Sequence, residues 1–342
     1  MVMTAMKLII QIPCYNEAES LPETLIALPR KIEGIDTIEY LVIDDGSADD
    51  TSGVARRFGV HHIVRHRTNR GLAAAFKTGL NKALAEGADI IVNTDADNQY
   101  DARDIETIVA PVLAGEADIC IGDRQVANNA HFGKFKRKLQ VFGSHVVQRL
   151  SRTTVTDAVS GFRAFSRSAA QRIHIVSRFS YTTEMLIQAG RNRLSVKSVP
   201  VRTNSVERPS RLFKSIPQFI TNQAITILRA YAMYNPLRVF VLAGGGLAVL
   251  GTLPILRFIY FYAIGQGGGH VQSLVLGGTL LTLGTVAMML GLIADLIGRN
   301  RQLLEQSLER IRVLEDAVAE KQISEGVIQL RDRVILAENH GG

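Results

Sequence analysis

Asp95-Ala96-Asp97 closes the apolar run that begins at Ile90, and Gln99 follows two residues later. Two carboxylates and an amide oxygen at a strand end are hard donors. They suit Mg²⁺ or Mn²⁺, with water and substrate phosphates filling the remaining positions. A D-x-D by itself is also what turns and helix N-caps look like. Its company favours the metal. Pro13-Cys14-Tyr15-Asn16-Glu17, Asp44-Asp45-Gly46-Ser47 and Gly122-Asp123-Arg124 each end another strand-like run. Carboxylates, a cation and arginines together suit a multiply charged, phosphorylated substrate, and no Ser-His-Asp constellation accompanies them.

The pattern that must position these residues is an alternation of strands and helices. Strand character covers 7–12, 38–43, 62–65, 90–92 and 118–121, and helical character covers 21–28, 49–58, 72–85 and 102–113. Ser20-Leu21-Pro22-Glu23 reads as a capping box. Val196–Val201 is expected as an edge strand, where Pro200 is tolerated. The alternation predicts an α/β fold with a mostly parallel, Rossmann-like sheet, helices on both faces and ligands at the strand C-termini. No G-x-G-x-x-G follows the first strand and no G-x-x-x-x-G-K-[ST] occurs, which argues against dinucleotide and P-loop sites.

The 342-residue chain has an uneven apolar content. Val239 to Leu256 and Val271 to Ile293 carry no charge, and each approaches or exceeds the ~20 residues a membrane-crossing helix needs. The link around Gly265 to His270 has no Lys or Arg, whereas Arg229, Arg238, Arg299 and Arg301 flank the pair. The positive-inside rule then places the catalytic region and both termini in the cytosol. The net charge of +7 is clustered, with no acid between Asp123 and Asp157. An anionic lipid surface is the expected partner there, and nucleic acid is not, since no aromatic-interleaved module accompanies the charge. The expected organisation is a catalytic domain over 1–210, amphipathic interfacial helices over 211–235, two transmembrane helices within 236–298, a helix over 299–325 with coiled-coil spacing, and a tail over 326–342. Intramembrane glycines and that spacing are thin grounds for a homodimer or tetramer. Cys14 and Cys120 read as free buried thiols, and His61, His62 and His66 as surface residues.

Taken together, Ile12-Pro13-Cys14-Tyr15-Asn16-Glu17, Val42-Ile43-Asp44-Asp45-Gly46-Ser47, Asn69-Arg70-Gly71, Asp95-Ala96-Asp97-Asn98-Gln99 and Ser160-Gly161-Phe162-Arg163 resemble the family 2 glycosyltransferases, and within them the polyprenyl-phosphate group that includes dolichol-phosphate mannose synthases. The resemblance covers about residues 7 to 215 and implies a GT-A fold. It implies an inverting hexosyl transfer from a nucleotide sugar to polyprenyl phosphate. Pro13, Tyr15, Glu17, Asp44 and Asp45 would floor the nucleoside. Asp95, Asp97 and Gln99 would hold the metal and, with Ala96, the donor. Arg124 would face a phosphate, and Lys136, Arg137 and Lys138 the lipid phosphate, so that Asp97, Arg124 and Arg137 carry the chemistry. Ser210-Arg211 would close over the donor. The arginine before it is either Arg202 or Arg208, because the glycine expected in that stretch is missing.

Other roles stand beside these. Asp44 and Asp45 fit plain turn positions, Glu184 fits a helix-surface charge as well as a site residue, and Ser160 and Arg163 fit a structural tie under the site. A processive polysaccharide synthase of the same superfamily would resemble Q-x-x-R-W, and the chain has no Trp. A non-catalytic membrane scaffold would not need the D-x-D set.

Overall fold

The computed structural model describes residues 5–125, 143–149, 151, 153–175, 181–204, 221, 225, 231, 232 and 235–339. The chain divides into two compact units, Leu228–Ser307 and the remainder. The first of these units holds the candidate spans, and the remainder holds the sheet.

The sheet has seven strands in the order β3-β2-β1-β4-β6-β5-β7. In chain order they are β1 (Lys7–Cys14), β2 (Thr37–Asp44), β3 (His62–Arg65), β4 (Ile90–Asn93), β5 (Ile119–Asp123), β6 (Arg163–Ser166) and β7 (Val196–Pro200). The helices α1 (Leu21–Ala27), α2 (Thr51–Arg57), α3 (Leu72–Ala85), α4 (Asp104–Leu113), α5 (Arg167–Arg172) and α6 (Tyr181–Arg191) complete the domain. β1 pairs in parallel with β2 and β4, β2 with β3, and β5 with β7. β6 runs antiparallel between β4 and β5. The alternation did not signal β6. A four-residue segment opening with arginine shows no period of its own, and its neighbours impose its strand state.

Apolar residues leave both faces of the central strands, as a strand buried on both sides requires. Leu8, Ile10 and Ile12 of β1 pack with Leu21, Leu25, Val54 and Ile105, towards α1, α2 and α4. Ile9, Leu41 and Ile91 pack with Phe76, Leu80 and Met185, towards α3 and α6. β7 pairs only with β5 and is the edge strand expected from Pro200. The capping box does not form. Ser20 makes no cap bond to the helix, and its hydroxyl goes to the Glu17 carboxylate instead.

In Leu228–Ser307, α7 (Pro236–Ala263) and the start of α8 (Val271–Asn339) are long and apolar enough to cross a membrane over Pro236–Ala263 and Val271–Asn300. They approach closely through glycine. A Cβ on Gly244 would stand 2.5 Å from Gly284 O, and one on Gly251 2.7 Å from Gly277 O. This is the small-residue packing that lets membrane helices touch backbone to backbone. α8 continues as one helix through the residues expected as a separate helix and most of those expected as a tail.

Candidate active site

The C-terminal strand tips carry the unusual backbone. Of the four non-glycine residues with positive φ among the described residues, Asn16, Asn98 and Gln125 follow β1, β4 and β5, with φ of 55°, 53° and 49°. Such conformations persist where surrounding contacts over-determine them, and they cluster at functional sites.

The loop after β4 is held from several sides. Thr24 Oγ1 on α1 donates to Ala96 O (3.0 Å) and ties the middle of the D-x-D to that helix. Gln99 N–H donates to Asp97 Oδ1 (3.1 Å). Asn204 fastens the far side, its Nδ2 to Asn98 O and its N–H to Gln99 O, both at 2.9 Å. Tyr100 stacks on Phe162 (centroids 4.8 Å apart), and its hydroxyl accepts from Gly161 N–H (3.2 Å). The loop therefore presents Asp95, Asp97 and Gln99 from a fixed frame.

Neither Asp95 nor Asp97 makes an ion pair among the described residues. Burial first, and then the charge of Asp97, push the Asp95 carboxyl up to about 7, against the opposing pull of Arg124. Two neighbouring carboxyls that the arginines only partly offset form an arrangement that a divalent ion relieves. No three His, Cys, Asp or Glu side chains cluster as a metal site among the described residues. A cation here would therefore draw on Asp95, Asp97, Gln99, water and donor phosphate, a donor set that fits Mg²⁺ or Mn²⁺.

Asp44 and Asp45 are both buried and already bonded. Asp44 accepts from Ser47 N–H (2.8 Å) and from the Ser52 hydroxyl. Asp45 accepts from Arg70 N–H (2.9 Å) and Gly71 N–H (2.8 Å), closing the loop before α3. His66 overturns its reading as a surface residue. It is 7% exposed, with Nδ1 donating to Asp45 Oδ1 (2.6 Å) and Nε2 lying 3.0 Å from Thr78 Oγ1. Gly46 is required by the turn, because φ is +73° and a Cβ would stand 2.5 Å from the Thr68 carbonyl carbon. Pro13 is buried in β1, while Tyr15 is 45% exposed beside the same tip. The Glu17 carboxylate takes the Ser20 hydroxyl.

Arg124 meets a partner that the sequence did not signal. Its Nε donates to Asp157 Oδ2 (2.7 Å) and its Nη2 to Asp157 Oδ1 (3.0 Å), in a buried fork. The one available signal was that Asp157 ends the acid-free interval opened by Arg124. Burial would pull the Arg124 pKa down, but Tyr100, Asp157 and Asp95 together hold it up. Asp157→Asn keeps the shape and removes the charge. It is expected to cost about 2 kcal/mol, the scale of a hydrogen bond to a charged group, read as a shift in urea unfolding.

Arg163 proves to be the structural tie. It is fully buried and donates to Ser160 O (2.7 Å), Ala158 O (2.9 Å) and Thr182 O (3.0 Å). Ser160 sits beside it, its hydroxyl 3.5 Å from that of Tyr100. Glu184 is 1% exposed, which corrects the surface-charge reading, and Gln188 Nε2 donates to it (3.3 Å). Arg202 is bound at the start of α4 by Asp104 (2.6 Å) and Asp101 (3.6 Å). Arg202 is thus tied to the start of α4 through an ion pair that leaves its side chain 58% exposed. Arg208, Ser210, Arg211, Lys136, Arg137 and Lys138, with most of the segment expected as interfacial helices, lie outside the described residues. Cys14 and Cys120 are free and buried, as expected.

A largely parallel sheet with a D-x-D loop at the tip of its central strand defines a Rossmann-like GT-A domain. In that fold the chain superposes on glucosyl-3-phosphoglycerate synthase from Mycobacterium tuberculosis, crystallised with Mn²⁺, UDP and glucosyl-3-phosphoglycerate, with a TM-score of 0.51 and 19% identity over 65% of this chain and 80% of that one. Residues 9–173 match the model of glycosyl transferase family 2. The UDP-N-acetylglucosamine–dolichyl-phosphate N-acetylglucosaminyltransferase of Methanococcus voltae is 31% identical over 56% of this chain and 83% of its own length. The polyprenol monophosphomannose synthase of Mycolicibacterium smegmatis is 29% identical over 56% of this chain and 74% of its own. The chain belongs to glycosyl transferase family 2 and is a glycosyltransferase.

Proposed function

We propose that the protein is a membrane-bound inverting transferase that moves a hexose from a nucleoside diphosphate to polyprenyl phosphate at the cytosolic face. The observation that carries this is the open Asp95–Asp97 pair, beside the Arg124–Asp157 fork, on a chain with two helices long enough to span a bilayer. The two named relatives act on isoprenoid phosphates with different sugars, which supports the acceptor class and leaves the donor to measurement.

The chemistry asks for positioning and charge neutralisation. A phosphate monoester has a second pKa of ~6, so the acceptor is already ionised near neutral pH and needs no strong general base. Its oxygen attacks the anomeric carbon as the bond to the nucleoside diphosphate breaks, giving inversion. Asp95, Asp97 and Gln99 would hold Mg²⁺ or Mn²⁺, which when bound supplies charge neutralisation for the leaving diphosphate. The frame around the loop keeps those oxygens in place without reorganisation during the reaction. Asp157 holds the Arg124 guanidinium close enough for Asp95 to feel its charge. Pro13, Tyr15, Glu17, Asp44 and Asp45 are proposed for the nucleoside. Lys136, Arg137 and Lys138 are proposed for the lipid phosphate, and Arg208 and Arg211 for the donor. The catalytic domain is proposed to end near residue 210, with the interfacial segment over 211–235 leading to the spans.

The test is turnover by the purified protein in detergent with polyprenyl phosphate, a panel of UDP- and GDP-sugars, and either Mg²⁺ or Mn²⁺. The expected result is one lipid-linked sugar whose formation needs the cation and is lost in Asp97→Ala. Nucleotide and cation binding without product from any donor would overturn the acceptor. Binding of neither would favour a scaffold.

A further inference from the structure

A line of buried polar groups crosses the sheet directly beneath the D-x-D loop. Gln11 on β1 and Asn93 on β4 are register partners, and both are fully buried among isoleucine and valine. Gln11 Nε2 donates to Asn93 Oδ1 (2.9 Å). Asn93 Nδ2 donates to Gly161 O (2.8 Å) and to the Tyr181 hydroxyl (3.1 Å). Tyr181 is itself held flat on Phe76, with ring centroids 3.9 Å apart. Polar groups at the centre of a sheet cost stability, and an apolar pair of similar volume would fill the space without that cost. The cost shows at Gln11 Oε1, which is buried with no hydrogen-bond partner. The sheet does not need this line in order to form, so its purpose lies where it ends.

It ends at Gly161. That residue is gripped on its carbonyl by Asn93 and on its N–H by the Tyr100 hydroxyl (3.2 Å). Its Cα forms a wall for Asp95, since a Cβ there would lie 3.1 Å from Asp95 Oδ2 and 3.2 Å from Oδ1. No hydrogen bond fixes the Asp95 carboxylate among the described residues, so packing decides where its oxygens stand.

We propose that Asn93 is a positioning residue for Asp95: the Gln11–Asn93–Tyr181 line pins Gly161 so that the Asp95 oxygens stand where a divalent cation can use them. The proposal rests on Asp95 as a cation ligand. Outer groups that orient first ligands are worth 10–100-fold in metal affinity, so a relay through one glycine is expected at the lower end of that range.

The experiment is Mn²⁺ binding to the full-length protein in detergent, with no nucleotide or lipid present, read from the free-Mn²⁺ electron paramagnetic resonance signal. Asn93→Leu should weaken Mn²⁺ binding about 10-fold. Tyr181→Phe keeps the ring on Phe76 and the fold, and should give a smaller loss in the same direction. It carries the test alone should Asn93→Leu fail to fold. Wild-type Mn²⁺ affinity in the folded variants, whatever their melting temperature, would overturn the proposal and leave the Asp95–Asp97 cation site standing. Absence of Mn²⁺ binding by the unmodified protein, also when UDP or GDP is added to supply the diphosphate, would overturn both.

Discussion

Arg163→Met is expected to destabilise the catalytic domain by about 3–5 kcal/mol, enough to consume much of the stability of an ordinary domain. The guanidinium is fully buried at the start of β6, between β4 and β5, with Asn93 of β4 as its register partner. Burial pulls its pKa down to about 10, so it remains charged at neutral pH. Its charge is met by oxygen dipoles, those of Ser160, Ala158 and Thr182, with Met185 Sδ at 3.3 Å. Three segments thereby converge on one side chain: the turn before β6, β6 itself and α6. Methionine fills a similar volume but leaves the Ser160 and Ala158 carbonyls without this donor, each costing ~1–3 kcal/mol. Lysine offers three donors from a single point and not a planar fork, so Arg163→Lys should recover only part of the loss. Thermal unfolding of the three proteins in detergent gives the comparison. If Arg163→Met melted with the unmodified protein, the tie would not be structural and the arginine would have to be reassigned to substrate.

The strand tips were legible because their signal is local. Apolar runs ending in Asp44-Asp45 and Asp95-Ala96-Asp97 predict where strands stop, and β3 and α3 lie on the residues their patterns marked. What was not legible depends on distant partners. His66 sits in a run rich in His and Arg and looks exposed until Asp45 and Thr78 fold around it. Ser20 and Glu23 have capping-box spacing, yet Glu17 competes for the same hydroxyl and wins. Asp157 gains its meaning only when β5 and the turn before β6 bring it to Arg124. The ion pair of Arg202 with Asp104 was likewise not legible, because ninety-eight residues separate the two. Helix and strand periods describe a segment, while burial of a charged side chain is decided by the segment it meets.

Asp95→Asn should abolish cation-dependent turnover and yet stabilise the metal-free protein at alkaline pH by about 2–4 kcal/mol. The sign follows from the raised carboxyl. Burial and Asp97 hold Asp95 near 7, above the ordinary value of 3.8 it regains on unfolding. Between those values the folded state binds the proton more tightly, so stability falls as pH rises from about 4 to about 7 and is level beyond. Asparagine cannot ionise and escapes that loss. The two proteins should therefore unfold alike near pH 4 and diverge as pH rises, with the variant the more stable at pH 8. Mn²⁺ at 1,000 times its dissociation constant offsets that gap, because binding the folded state then adds about 4.1 kcal/mol, and only the carboxylate form can take it up. At pH 6, where Asp95 is still mostly protonated, uptake of Mn²⁺ should release a proton into a weakly buffered solution, and the variant should release none. Parallel pH–stability curves for the two proteins would show that Asp95 is ionised throughout. The stabilising role of the cation would then rest on the diphosphate it binds and not on relief of the carboxylate pair.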